Sequence, residues 1–206
     1  MAVPVVFLGF LGLSFAILWG ITHYGDPTSQ GEGVTIDFDS PCLDDAAPIL
    51  IERAKQIGMP VEMVNGSMRT TLPDVPNARS TIPTLLTTPG HLVVKGGSFE
   101  VDNETFEEVA IDLDNAGMPQ TLIKFDSDTY AALKNLDDAL DLQPILDGVA
   151  LSPVKALEVK KEGVLQIHSG EGKTADRMQR AADRAILLAH GPLPCGVTAG
   201  GVQSTQ

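Results

Sequence analysis

No Asp, Glu, Lys or Arg occurs between Met1 and Gly25, and VPVVFLGFLGLSFAILWGI forms one apolar run within that stretch. Nothing else in the chain limits its fold so strongly. Roughly 18 helical residues at about 1.5 Å each span roughly 27 Å, close to the hydrocarbon thickness of a bilayer. Trp19 and Tyr24 lie near the far end, where amphipathic rings favour the membrane interface. A cleavable signal peptide would want a basic start and an A-x-A-like site, and neither is present. A buried soluble helix is seldom uncharged over such a length at a terminus. The run is therefore read as an uncleaved anchor over residues 1–24, followed by a polar tether over 25–32. Gly12, Ala16 and Gly20 recur every four residues and make one small-residue stripe, a candidate helix-packing face. The first basic residue is Arg53, too distant for loop charge to set orientation.

Beyond the anchor the chain is acidic: 27 Asp and Glu against 14 Lys and Arg, a net charge of −13. Such a surface repels nucleic acid, so no nucleic-acid partner is expected. Between Glu100 and Asp147 thirteen carboxylates face only Lys124 and Lys134. A solvated face explains them, because the one calcium-like segment fails. Asp112, Asp114 and Gly117 open like an EF-hand loop, but Ile123 stands where a bidentate Glu is needed. No metal is expected.

Periodicity then supplies an order of elements. VTIDFD alternates as a strand, and a helix follows to about Ile57, capped by Ser40 or Asp44, with Pro48 placed in its first turn. VEMV and MRTTL flank Asn65-Gly66 as a hairpin, residues 75–86 predict a helix broken near Pro83, and HLVVK predicts a strand. Strand-helix-strand-strand-helix-strand is the split βαβ pattern of a ferredoxin-like sandwich. EVAIDLD, TLIKF and VLQIHS predict further strands, and residues 174–189 a helix ended by Gly191-Pro192. The fold class is α+β: one transmembrane helix, then a ferredoxin-like base (33–96 plus 191–199) carrying an inserted α+β head (97–190), the soluble part running over 33–206.

In LDGVALSPV, Asp147 is either a working carboxylate or half of a turn. Asp147-Gly148 between apolar runs fits a two-residue type I′ turn, which needs positive φ at both positions. Gly170-Glu171-Gly172-Lys173-Thr174, between a strand and a helix, imitates a phosphate loop. It lacks the first glycine, since Ile167 stands there, so ATP and GTP are not expected to bind. The four histidines are scattered without metal spacing, no G-x-S-x-G elbow occurs, and neither cysteine sits as a nucleophile. The expectation is no catalytic residue, no cofactor and no enzyme.

Three stretches together resemble a known family. PILIERAKQIGMPVEMVNGSMRTTLPDVPNARSTIPTLLTTPGHLVVK resembles the start of the first periplasmic domain of SecD, an accessory subunit of the bacterial protein translocase. PILDGVALSPV resembles that family's VLDGKVISAPV strand-turn-strand, and RAADRAILLAHGPLP resembles its returning helix. The likeness covers about residues 33–196 and makes Asp147 a hairpin residue. A full SecD continues into five further transmembrane helices that take part in proton-driven pulling, and this sequence has no counterpart of them. The resemblance implies a single-pass protein of the bacterial inner membrane with its domain on the periplasmic side. Its expected partners are the translocase or another membrane complex, and an unfolded polypeptide. The alternative function is a structural or interaction subunit of another membrane complex that reuses the fold. The resemblance also places the start and return of the chain side by side. Cys42 and Cys195 then either bridge in an oxidising compartment or stay as two buried thiols.

Overall fold

Val34 and Ile36 are fully buried and Phe38 nearly so, while the residues between them are only half-buried. That alternation fixes the first strand and the face it turns to the core. The computed structural model describes residues 31–205; the proposed anchor, the tether up to residue 30 and the stripe of Gly12, Ala16 and Gly20 lie outside the described residues. In chain order the elements begin β1 (Gly33–Asp39), α1 (Leu43–Gln56), β2 (Val61–Val64), β3 (Ser67–Thr71) and α2 (Ala78–Thr87). Next come β4 (Leu92–Gly96), β5 (Phe99–Asp102), β6 (Phe106–Leu113), β7 (Pro119–Phe125), α3 (Ser127–Leu133) and β8 (Asp141–Leu146). The chain ends with β9 (Val149–Ala150), β10 (Val154–Lys155), α4 (Ala156–Glu162), β11 (Val164–His168), α5 (Thr174–Ala189) and β12 (Thr198–Ser204). Among the described residues no helix is long and apolar enough to cross a membrane.

Three antiparallel sheets organise these pieces: β12-β1-β3-β2, then β10-β8-β4-β5 with β9 also on β8, then β11-β7-β6. The first sheet corrects the expected topology. HLVVK, as β4, pairs with β5 and β8 instead of joining β1. Its place beside β1 is taken by β12. Leu92 and Val94 are fully buried in a second core, with Ile123, Leu133, Leu142 and Leu165, which is why β4 leaves the first sheet. The first core joins Val34, Ile36, Leu50, Met68, Ile82 and Leu86 to Ala181, Ala185 and Ile186. Helix α5 serves both cores, since its Leu188 is buried in the second. Its alanines leave room for close approach, and Thr121 Oγ1 on β7 donates to the Ala181 carbonyl at 3.3 Å.

Two helices depart from expectation at proline. Helix α1 starts at Leu43 with no side-chain cap, so Pro48 lies inside it and not in the first turn. Pro48 and Asp44 are both exposed, so water can reach the carbonyl that loses its partner. Helix α2 begins at Ala78, later than expected, because Asn77 has φ 62° and ends the preceding turn; it continues through Pro83 unbroken.

Candidate functional site

Helix α1 carries its apolar face as Ala46, Leu50, Ala54 and then a charge: Arg53 has 0% relative accessibility. Its guanidinium is held by main-chain carbonyls from three directions. Nη1 donates to Leu86 at 3.0 Å and Thr88 at 2.6 Å, at the end of α2. Nη2 donates to Pro89 at 2.9 Å, to Leu187 at 3.4 Å near the end of α5, and to Gly191 at 3.0 Å. Leu86, Thr88, Leu187 and Gly191 lie at or just past two helix ends, where carbonyls lack helical partners. Pro89, in the crossover, also accepts from Leu193 N at 3.0 Å, and one planar cation reaches all five. Burial pulls the Arg53 pKa down to about 10, with the Asp147 charge opposing, so the group stays cationic at neutral pH.

Asp147 and Gly148 have φ 49° and 81° and join β8 to β9 by a two-residue turn, Leu146 pairing with Val149. The Asp147 carboxylate has further work. It accepts from Gly90 N at 3.2 Å and His91 N at 2.7 Å, and Asp147 N donates to the His91 carbonyl at 2.8 Å. Asn103 holds the same segment, accepting from Leu92 N and donating to the Gly90 carbonyl. Gly90 has φ 75°, and a Cβ there would lie 2.8 Å from Arg53 Nη2. The crossover from α2 to β4, one link between the two cores, is thus clamped by Arg53 and by Asp147 and Asn103. Such a constellation positions backbone.

A second closure lies at the return of the chain. Cys42 and Cys195 are disulfide-bonded in the structure, with Cα atoms 6.2 Å apart and a sequence separation of 153. Ser40 Oγ lies 3.0 Å from Cys195 Sγ and accepts from Cys42 N at 3.2 Å.

Beside β12 runs an open groove of about 520 Å³, walled by α2 through Arg79, Pro83, Thr84 and Thr87 and by Val197, Ala199, Gly201 and Val202. Arg79 stands at its end. It pairs with Glu32 through Nη2, with a second contact from Nε to Oε2 at 3.0 Å, and donates to the Val202 carbonyl at 3.2 Å. Ser204 Oγ also donates to Glu32, at 2.7 Å. These bonds, Arg79 first, draw the Glu32 carboxyl down to about 2 although both partners are half-exposed. The depressed value means the pairing favours the fold above the ordinary carboxyl range, and that benefit fades as pH falls from about 4.5 toward 2. A carbon-detected titration should put the Glu32 midpoint near 2, rising toward the ordinary range in Arg79→Ala, with the Ser204 bond still holding part of the shift. An unshifted midpoint in the unsubstituted protein would disprove the pairing in solution.

Two solved structures share this fold. A crystal structure of SecDF in a super-membrane-facing form superposes with a TM-score of 0.64 at 14% identity, over 92% of this chain. The fold is SecD-like. A second structure, of a membrane component SecDF that enhances protein export, gives a TM-score of 0.60 at 14% identity. That match covers 84% of this chain and 99% of the other. The chain spans about a third of the length of the first structure, 33%. At such identity the likeness is one of fold. No protein-family profile and no curated protein sequence matches the chain.

Within the SecD-like domain the motifs singled out from sequence fall in separate places. Asp112 and Asp114 sit at the β6–β7 hairpin, where Asp114 Oδ1 accepts from Ala116 N and Met118 N, each at 2.8 Å. Among the described residues no cluster of three or more His, Cys, Asp or Glu is placed to hold a metal. The Gly170–Thr174 loop is filled by its own helix: Arg180 Nε donates to the Ser169 carbonyl at 2.7 Å, and Nη2 donates to Glu171. A phosphate would have to displace that guanidinium. Of the two residues that organise the SecD-like domain around its crossover and its edge, Arg53 opens the Arg53–Gly58 stretch that carries part of the family resemblance, whereas Arg79 was signalled by no motif. One clue was present, because Arg53 follows Ala46 and Leu50 at spacings of seven and three on an otherwise apolar helical face.

Proposed function

We propose that this chain is a single-pass accessory of protein export at the bacterial inner membrane, its SecD-like domain on the periplasmic side. In this reading it binds translocating polypeptide or the translocase, without catalysis of its own. The first sheet with α1 and α2 acts as a ferredoxin-like base near the membrane, and the second core acts as an inserted head. The observation that carries the reading is the fold match over nearly the whole described chain, one matched structure being a membrane component that enhances protein export. Two features fit a holding role. The residues brought together position backbone, and an open groove lies beside an uncharged strand edge.

The test is cross-linking in intact membranes followed by mass identification of partners, together with depletion of the chain. Translocase subunits or precursor proteins among the partners, with precursors accumulating on depletion, is the expected result. Recovery of an unrelated membrane complex, with export rates unchanged, would refute the export role and leave the alternative of a structural subunit.

A further inference from the structure

Among the described residues β12 pairs with β1 alone, so its other edge presents backbone groups to solvent. Which groups face out follows from one contact. The Val202 carbonyl accepts from Arg79, outside the sheet, and the N–H of the same residue in an antiparallel strand points the same way. Ser204, two residues on, repeats that orientation. A register shift between Asp37 and Phe38 leaves Gly200 out of the pairing, so the regular stretch of edge is Gly201–Ser204.

Exposed edges are commonly shielded by charge. Glu62 on β2, Glu100 and Asp102 on β5, and Glu107, Glu108 and Asp112 on β6 do this for three of the other edges. The β12 sequence, TAGGVQS, has no charge and no proline. Beside it lies the groove of about 520 Å³, a size typical of sites that hold a ligand. Its wall on α2 is Pro83, Thr84 and Thr87, small and without charge. Arg79 is the one charged residue lining it, and no carboxylate does, in a chain with 27 acidic and 14 basic residues. An open strand edge beside a helix, with a groove between them, is the arrangement used for recognition by strand addition.

We propose that this edge takes an extended polypeptide segment as an added strand, its main chain pairing with Val202 and Ser204 and its side chains lying along α2. The inference rests on the polypeptide-binding reading above and assigns it a place. The ligand is defined by its backbone, extended and free of proline at the pairing positions; the charges it meets are Arg79 and, at the Ser204 end, Arg79's partner Glu32. Arg79 already occupies the Val202 carbonyl, so the incoming strand displaces it, and Arg79 competes with the ligand.

The experiment uses the full chain in detergent and a fluorescein-labelled peptide, Ser-Val-Thr-Val-Thr-Val-Ser, read by anisotropy. Saturable binding is expected. Val202→Pro, which removes an N–H that β1 does not use, should weaken binding about tenfold or more, the effect of losing central ladder bonds. Methylating alternate peptide nitrogens should weaken it as much with no change to the protein. Arg79→Ala should tighten binding, and a weakening there would overturn the displacement. Binding that ignores both Val202→Pro and peptide methylation would overturn the edge while leaving polypeptide binding intact. Absence of saturable binding, by this peptide and by a reduced unfolded protein alike, would overturn the reading on which the inference rests.

Discussion

Replacing both Cys42 and Cys195 with Ser is expected to lower the unfolding free energy by up to about 5 kcal/mol, the chain-entropy value for closing a loop this long. The cross-link joins residues 153 apart, so nearly all of the described chain lies inside the loop it closes. Opened, the unfolded chain regains the freedom that the bridge denies it, while the folded chain loses few contacts. The bridge also fixes the segment between α5 and β12. That segment delivers the strand that completes the first sheet, so its release should fray the β1–β12 pairing before the rest unfolds. Urea unfolding of the oxidised chain, the reduced chain and the double-Ser variant measures the effect. Both reduced forms should have clearly lower midpoints, and hydrogen exchange should rise first at Thr198–Ser204. Equal midpoints in all three, or two titratable thiols in protein prepared without reductant, would rule the bridge out as a native stabiliser.

The sequence was readable where a local signal coincides with a local structure. Asn65-Gly66 and Asp147-Gly148 occupy tight turns with positive φ, as their side chains favour, and α5 runs over Thr174–Ala189, the residues its composition and Gly191 mark out. It was unreadable where sheet membership depends on a partner far away. HLVVK has the alternation of a strand but carries nothing that says which sheet it joins. TAGGVQS carries two glycines and little apolar alternation, so β12 left no strand signal, though all of it but Gly200 pairs with β1. Helix α4, seven residues beginning three positions after Pro153, was too short for periodicity to show. Charge misled in the same way. Lys and Arg count as solvated until a structure places one in a core, and Arg53 is such a case.

Arg53→Ala is the second large effect, expected to cost about 3–5 kcal/mol, because several buried carbonyls lose their donor at about 1–3 kcal/mol each, less what relaxation recovers. The reason lies in the carbonyls more than in the charge. Leu86, Thr88, Pro89, Leu187 and Gly191 belong to two helix ends and the crossover between the cores, where no helical N–H can reach them. Water cannot replace the guanidinium easily, since Arg53 itself is fully buried. Arg53→Lys keeps the charge but has one nitrogen where the guanidinium offers two to these acceptors, so it should recover only part of the loss. Arg53→Met keeps most of the volume and none of the donors. It should therefore resemble Ala in stability more than its size suggests. Asp147→Asn probes the other part of the clamp. Its carboxylate accepts two main-chain N–H groups, and its loss should cost about 1–2 kcal/mol. Arg53 and Asp147 grip one short segment, so the double variant should lose less than the two single losses added. Denaturant unfolding of the four single variants and of Arg53→Ala combined with Asp147→Asn measures all of this. If Arg53→Ala stays within about 1 kcal/mol of the unsubstituted chain, the ordinary size of a surface change, the crossover is not held by this residue.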